Sequence, residues 1–145
     1  MTAIARTRPA TAITRDAALA LNAAARRAAH DLGIAVTIAV TDAAGHLVAF
    51  ERDDDAPFLT VDVAIDKAWT AASFGLPTHT WNTLLANDAI AQLAHRPRLV
   101  AVGGGLPVVV DGQVVGGIGI SGGNAAQDQQ AAQAALESLG FEVPR

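Results

Sequence analysis

Three features of the sequence predict an α+β fold in which a five-stranded antiparallel sheet is packed with helices. Residues 34–41 alternate, with Ile34, Val36, Ile38 and Val40 on one face and the small Ala35, Thr37, Ala39 and Thr41 on the other, which is the period of a strand. Asp42-Ala43-Ala44-Gly45 and Asp111-Gly112 stand between apolar runs, and Asp-Gly is a strong type I′ hairpin signal. Alanine-rich stretches at helical spacing flank these runs, and alanine is the best helix former. The resulting order, α-β-β-α-α-β-β-β-α, joins runs of strands by hairpins and gathers helices around them, which favours an antiparallel sheet.

Residues 1–13 read as a flexible N-terminal arm and residues 14–145 as one domain. Thr14 is a good N-cap with Ile13 as its staple, and Ala18, Leu21, Ala25, Ala28, Ala29 and Leu32 form the buried stripe of a first helix that Gly33 ends. Asn22, Arg26 and His30 fall on its polar side. After the first strand and its turn, residues 46–52 return as the second strand, followed by an acidic loop at Asp53, Asp54 and Asp55. A helix is expected over residues 60–74, with Val61, Ile65, Ala68, Trp69 and Ala72 inward and Gly75 as its stop. Thr78 is placed to cap a short helix carrying Trp81, Leu84 and Leu85, and Ile90 and Leu93 sit on a further turn before Pro97. Three short apolar runs, 99–102, 108–110 and 114–121, read as strands, and a last helix over 125–139 stops at Gly140.

Composition narrows the function. The 145 residues are 51% hydrophobic and 17% charged with a formal net charge of -4, which fits one domain with an apolar interior. There is no cysteine, so disulfides, thiolate metal sites and cysteine nucleophiles are excluded. Ten Lys and Arg against 14 Asp and Glu leave no surplus to neutralise phosphates, so nucleic acid is not an expected partner. No two histidines stand four apart and no His/acid cluster has ligand spacing, so no dedicated metal site is expected. No uninterrupted apolar stretch is long enough for a membrane span, and Arg6, Arg8 and Arg15 break the N-terminal region, which makes a cytoplasmic protein the expectation. Alanine supplies 33 residues. A core of Ala and Val buries little area per residue, at roughly 25 cal/mol per Å², so subunit contacts are expected to supplement it.

Lys67 is the only lysine beside nine arginines, and its helical neighbours Val63, Ala64, Thr70 and Ala71 offer no ion-pair partner. Two readings follow: a desolvated ammonium for proton transfer or anion binding, or a structural pair with an acid such as Asp62 or Asp66 across a subunit boundary. His79 follows Pro77-Thr78 at the mouth of a short helix, where free N–H groups favour anions. Gly103, Gly104 and Gly105 can expose backbone N–H groups to a ligand, but neither GxGxxG nor a P-loop pattern is present. Gly116, Gly117 and Gly119 fall inside a strand, where missing side chains imply close approach by another backbone, a subunit or a flat ligand. Asp128 reads as a partner for its helix dipole, and Trp69 and Trp81 as core or interface anchors.

Gly103-Gly104-Gly105-Leu106-Pro107-Val108, Asp111-Gly112, the run from Val115 to Gly123 and Gln127-Asp128-Gln129 together resemble the GlcG/HbpS family. Val40 to Gly45, the arginine-acidic loop Arg52 to Ala56, and Ile65-Asp66-Lys67-Ala68-Trp69-Thr70-Ala71 are similar to earlier segments of the same family. The resemblance, over about residues 14–138, implies a profilin-like sandwich, a homo-oligomer, often an octamer, and haem as a ligand of some members. It also implies that the segment at Thr78 and His79 lies near ligand. Residues and resemblance together nominate Lys67 and His79 as catalytic candidates, and Thr78, His79, Lys67, Arg52, Trp81, Gly103, Gly104 and Gly105 as ligand-binding ones. The expected function is an oligomer binding haem or a related flat anionic molecule. The alternatives are an isomerase or lyase of organic acids using Lys67 and His79 for proton transfer, and a purely structural partner.

Overall fold

The computed structural model describes residues 2–144, and among them the sheet has four strands, not five. β1 (Thr37–Asp42), β2 (Leu47–Arg52), β3 (Gly105–Val110) and β4 (Gln113–Ser121) lie in the order β2-β1-β4-β3, all neighbours antiparallel. The helices are α1 (Arg15–Asp31), α2 (Leu59–Phe74), α3 (Thr78–Leu84) and α4 (Ala125–Ser138), with a 3-10 turn at Ala91–His95.

Local chemistry accounts for most boundaries. The Thr14 hydroxyl accepts from Ala17 N at 3.1 Å, capping α1 as expected. Ile34 N is spent on Ala29 O, closing the end of that helix, so β1 begins at Thr37 rather than at residue 34. Asp42 accepts from the amides of Ala44 and His46, both at 2.9 Å, and so folds the first hairpin turn. Asp111 and Gly112 both take positive φ, 51° and 74°, as a type I′ turn demands.

The alternation on β1 decides the layering. On one face Ile38, Val40, Leu106, Val108, Ile118 and Ile120 are sealed beneath α1 and α4, which pack on each other through alanines. On the other face the register aligns Ala39 with Gly119 and Gly119 with Gly105, and Thr41 with Gly117. Over these small residues α2 lies nearly backbone to backbone. A Cβ on Gly119 would stand 2.6 Å from Ala68 N, and one on Gly105 2.6 Å from Lys67 O. Gly105, Gly117 and Gly119 therefore answer to a helix, whereas Gly116 makes room for the neighbouring strand at Thr41 and for Ile13. Because the sheet admits so little, α2 turns Ala64, Lys67, Ala68, Ala71 and Ala72 inward, whereas the expected Val61, Ile65 and Trp69 sit half-buried on its flanks.

The expected strand at 99–102 is absent because its backbone groups are taken by side chains. Thr70 Oγ1 donates to Arg98 O and accepts from Val100 N, both at 3.1 Å. Asn82 Nδ2 donates to Ala101 O at 3.2 Å, and Thr78 Oγ1 to Val102 O at 2.6 Å. The Arg98 guanidinium lies 4.5 Å over the Trp69 ring and pairs with Asp66 at 2.9 Å. Residues 98–102 are thus strapped along α2 and α3 rather than laddered into the sheet. β3 starts earlier than expected, at Gly105, and it tolerates Pro107 because it is an edge strand. A further correction concerns Asn22, which is buried, not on a polar face, with neither amide atom partnered.

Candidate functional site

The strap forms one wall of a cleft of about 660 Å³. Ala101, Val102 and Gly103 line that wall beside His79 and Asn82 of α3, while the opposite wall is the first turn of α4, Ala125 and Ala126. Gln129 and Gln133 continue that wall along α4, and Pro144 closes it from the C-terminal tail. The walls are close at Gly103, where an added Cβ would lie 3.1 Å from Ala125 O and 3.6 Å from His79 Cβ. No lining residue carries a fixed charge, and His79 is the one titratable side chain among them.

The start of α4 is arranged by its own cap. Asn124 accepts from Gln127 N at 2.8 Å while Gln127 Oε1 accepts from Asn124 N at 3.0 Å, a reciprocal capping box. Ala125 N and Ala126 N, at the first two helical positions, have no intrahelical acceptor and carry the positive end of the helix dipole.

Two buried side chains hold the strap from behind. Thr78 does not cap α3, whose preceding residue is Pro77. Its hydroxyl is fully buried and joins the two ends of the glycine run, donating to Val102 O and accepting from Gly105 N at 2.9 Å. Lys67 reaches beneath Gly104, with Nζ donating to Ile120 O at 2.9 Å and to Asp128 Oδ2 at 3.1 Å. The pair is sealed from solvent, at 2% and 3% side-chain exposure. Asp128 Oδ1 also accepts from Gly123 N at 2.8 Å, tying α4 to the end of β4. Burial pulls the Lys67 ammonium below its ordinary range, opposed by the charge and hydrogen bond of Asp128. Gly104 has φ +126°, and a Cβ there would meet Lys67 Nζ at 2.7 Å. Only glycine fits above the pair.

The nominated residues therefore divide. His79 and Gly103 line the cleft, whereas Thr78, Gly104, Gly105 and Lys67 lie behind its wall. The acid that meets Lys67 is Asp128 of the same chain, not Asp62 or Asp66. Trp81 is buried edge-on against Phe74, with centroids 5.3 Å apart. Arg52 is remote from this cleft, and its Nε and Nη2 clamp Ala56 O at 3.0 and 2.8 Å, shaping the acidic loop. His30 lines a second, smaller hollow of about 400 Å³ beside the Arg26–Glu51 pair. Among the described residues no group of three His, Asp or Glu is placed to hold a metal ion, and no helix is long and apolar enough to cross a membrane. Asn82, Gln129, Gln133 and Pro144 were not anticipated. The spacing of Gln129 and Gln133, one turn apart in an alanine-rich helix, was the available signal for two of them.

Comparison with known proteins agrees with this architecture. Residues 13–137 match the family model described as haem degrading protein HbpS-like. Protein GlcG of Escherichia coli K12 is 38% identical over 109 residues, covering 75% of this chain and 81% of GlcG. The crystal structure of a double mutant of Streptomyces reticuli HbpS superposes with a TM-score of 0.87 at 33% identity, covering 97% of each chain. That of a PduOC:heme complex gives 0.85 at 29% identity, covering 93% of this chain and all of the other. The strap, the glycine-bearing β3–β4 hairpin and the Lys67 helix all fall within the matched span, and the chain belongs to the HbpS-like family.

Proposed function

We propose that the protein binds a flat small molecule of the haem type in the cleft between the strap, α3 and α4. The observation that carries this reading is the exposed His79 imidazole on the wall of a slot otherwise lined by small apolar residues and carboxamides. The donor set fits haem: His79 offers a ring nitrogen to iron, Ala101, Val102, Ala125 and Ala126 offer apolar surface to the ring, and the N–H groups opening α4 suit a carboxylate. Haem, when bound, supplies an iron that takes such a nitrogen. A relative whose crystal structure is described as a PduOC:heme complex lends support. Lys67 is spent on Asp128 and Ile120 O and does not line the cleft, which favours binding over proton transfer by a Lys67–His79 pair. Titration of the purified protein with hemin, read at the Soret band, is expected to give a saturable shift at micromolar concentration. His79→Ala is expected to weaken it by about tenfold or more. No saturable shift in the parent protein defeats the reading.

The functional unit in this proposal is a homo-oligomer. Outward-facing Leu59 and Phe74 of α2, together with Phe58 just before it, are 68%, 71% and 83% exposed. β2 leaves Phe50 and Leu47 uncovered on the sheet face that α2 covers at β1, β3 and β4. Large apolar side chains left uncovered at both ends of α2 and on β2 are the mark of an association surface, and a second copy supplies the missing cover. Light scattering is expected to return a multiple of 14.8 kDa, and a single-chain mass at working concentration refutes the assembly.

A further inference from the structure

One residue of the strap stands where the backbone disfavours it. Leu99 N donates to Arg96 O at 3.2 Å, closing a turn with Pro97 at its second position and Arg98 at its third. Arg98 has φ 74° and Pro97 cannot take a positive φ, so the turn is type II, whose third position calls for glycine or asparagine. A longer side chain in that left-handed region is strained. What the arginine adds is a clasp: its guanidinium lies 4.5 Å over the Trp69 ring, while Nε donates to Asp66 Oδ1 at 2.9 Å. Trp69 is a fixed support, since its ring abuts Gly45, where a Cβ would lie 2.6 Å from Cδ1. Backbone strain at residue 98 thus favours release, and the side chain opposes it. The first bond of the strap runs from Thr70 Oγ1 to Arg98 O itself. A turn that lets go therefore loosens the wall at Ala101, Val102 and Gly103 from one end, with Thr78 holding the other.

We infer that Arg98 is the latch of this wall, a positioning residue that sets how often the strap opens to pass a ligand; the passage of ligand rests on the cleft being the binding site proposed above. A gate has a kinetic signature. Where one opening precedes both entry and exit and the bound form is closed, weakening the latch raises both rates by the same factor and leaves their ratio, the affinity, unchanged.

The test uses the whole protein with Arg98→Ala, which removes the clasp and keeps the strain, and Arg98→Gly, which removes both. Each replaces an exposed side chain. In amide exchange, Leu99 and Val100, whose N–H groups go to Arg96 O and Thr70 Oγ1, are expected to lose about tenfold or more of their protection in Arg98→Ala. Arg98→Gly is expected to fall between that variant and the parent, and Ile120, whose N–H goes to Gly104 O, to keep its protection in both. Stopped-flow mixing with hemin is expected to show association and dissociation accelerated by one factor at constant Kd in Arg98→Ala. Parent-like protection in Arg98→Ala overturns the latch, and so does a loss shared by Ile120, which is general destabilisation. Equal loss in the two variants overturns the strain. Lost protection with unaltered hemin rates, or with an altered Kd, overturns the gate while leaving the cleft as the site. Absence of hemin binding in the parent defeats the proposed function and the gate with it, and the exchange comparison then decides the latch by itself.

Discussion

Lys67 can be followed in isolation by alkaline titration, because the chain has one lysine and neither tyrosine nor cysteine. Between the α-amino group, near about 8, and arginine, above about 12, no other group titrates. In the folded protein the ammonium is buried and gives two of its three N–H groups to Ile120 O and Asp128. Burial lowers its pKa from the ordinary 10.5 by more than Asp128 raises it. The unfolded chain then holds its proton to higher pH than the folded one, so stability rises with pH from the lowered value up to 10.5. That sign is opposite to the one expected if the ion pair outweighed desolvation. The slope is bounded by one proton, about 1.4 kcal/mol per pH unit. Urea melts at fixed ionic strength from about pH 8 to about pH 11 measure it, the window being that of an ordinary lysine. The reference is Lys67→Met combined with Asp128→Asn, which leaves no buried charge and keeps an acceptor for Gly123 N; its profile is expected to be flat. Lys67→Met alone strands the carboxylate and is expected to cost about 3–5 kcal/mol. A stability that falls with pH in the parent, or an equal rise in the reference variant, refutes the reasoning.

Two further substitutions probe the packing. Gly119→Ala places a methyl inside the van der Waals shell of Ala64 O and 2.6 Å from Ala68 N, with backbone rather than flexible side chain in the way; a loss of about 3 kcal/mol or more is expected by denaturant melt, and a neutral result would mean that α2 slides freely. Asn22→Leu replaces a buried, unpartnered carboxamide by a side chain branched at the same atom, and a gain of about 1–2 kcal/mol is expected in the same assay. A loss there would show that the amide has a partner in solution.

The sequence carried its strongest information where one local signal settles one feature. The Thr14 cap, the Asp42 turn and the Asp111-Gly112 hairpin are short-range chemistry and form as expected. The alternation of residues 34–41 foretold two unlike faces, and the core confirms them. What failed depends on partners far along the chain. Leu99–Val102 has strand composition, but nothing local announces that Thr70, Thr78 and Asn82 take its backbone groups. Of the stripe expected on α2, Ala68 and Ala72 are buried as expected, but Val61, Ile65 and Trp69 are displaced to the flanks, because glycines about 40 to 50 positions later in the sequence select the smallest residues of the helix. In the same way Asp128, 61 residues from Lys67, was credited to its own helix. His79 and Gly103 of the cleft were legible as residue types at a helix mouth and a glycine run. The α4 wall was not, since alanines that line a cleft read like alanines that fill a core.

A backbone secured by side chains opens differently from one secured by a ladder. Unzipping β4 disturbs two neighbouring strands at once, but residues 98–102 are released when a few hydroxyl and amide bonds let go, with the sheet untouched. Amide exchange in that stretch accordingly reports local opening, at a free energy well short of global unfolding. Of the two walls of the cleft, the strap is therefore the one expected to open first, and the α4 wall the one expected to open with the core.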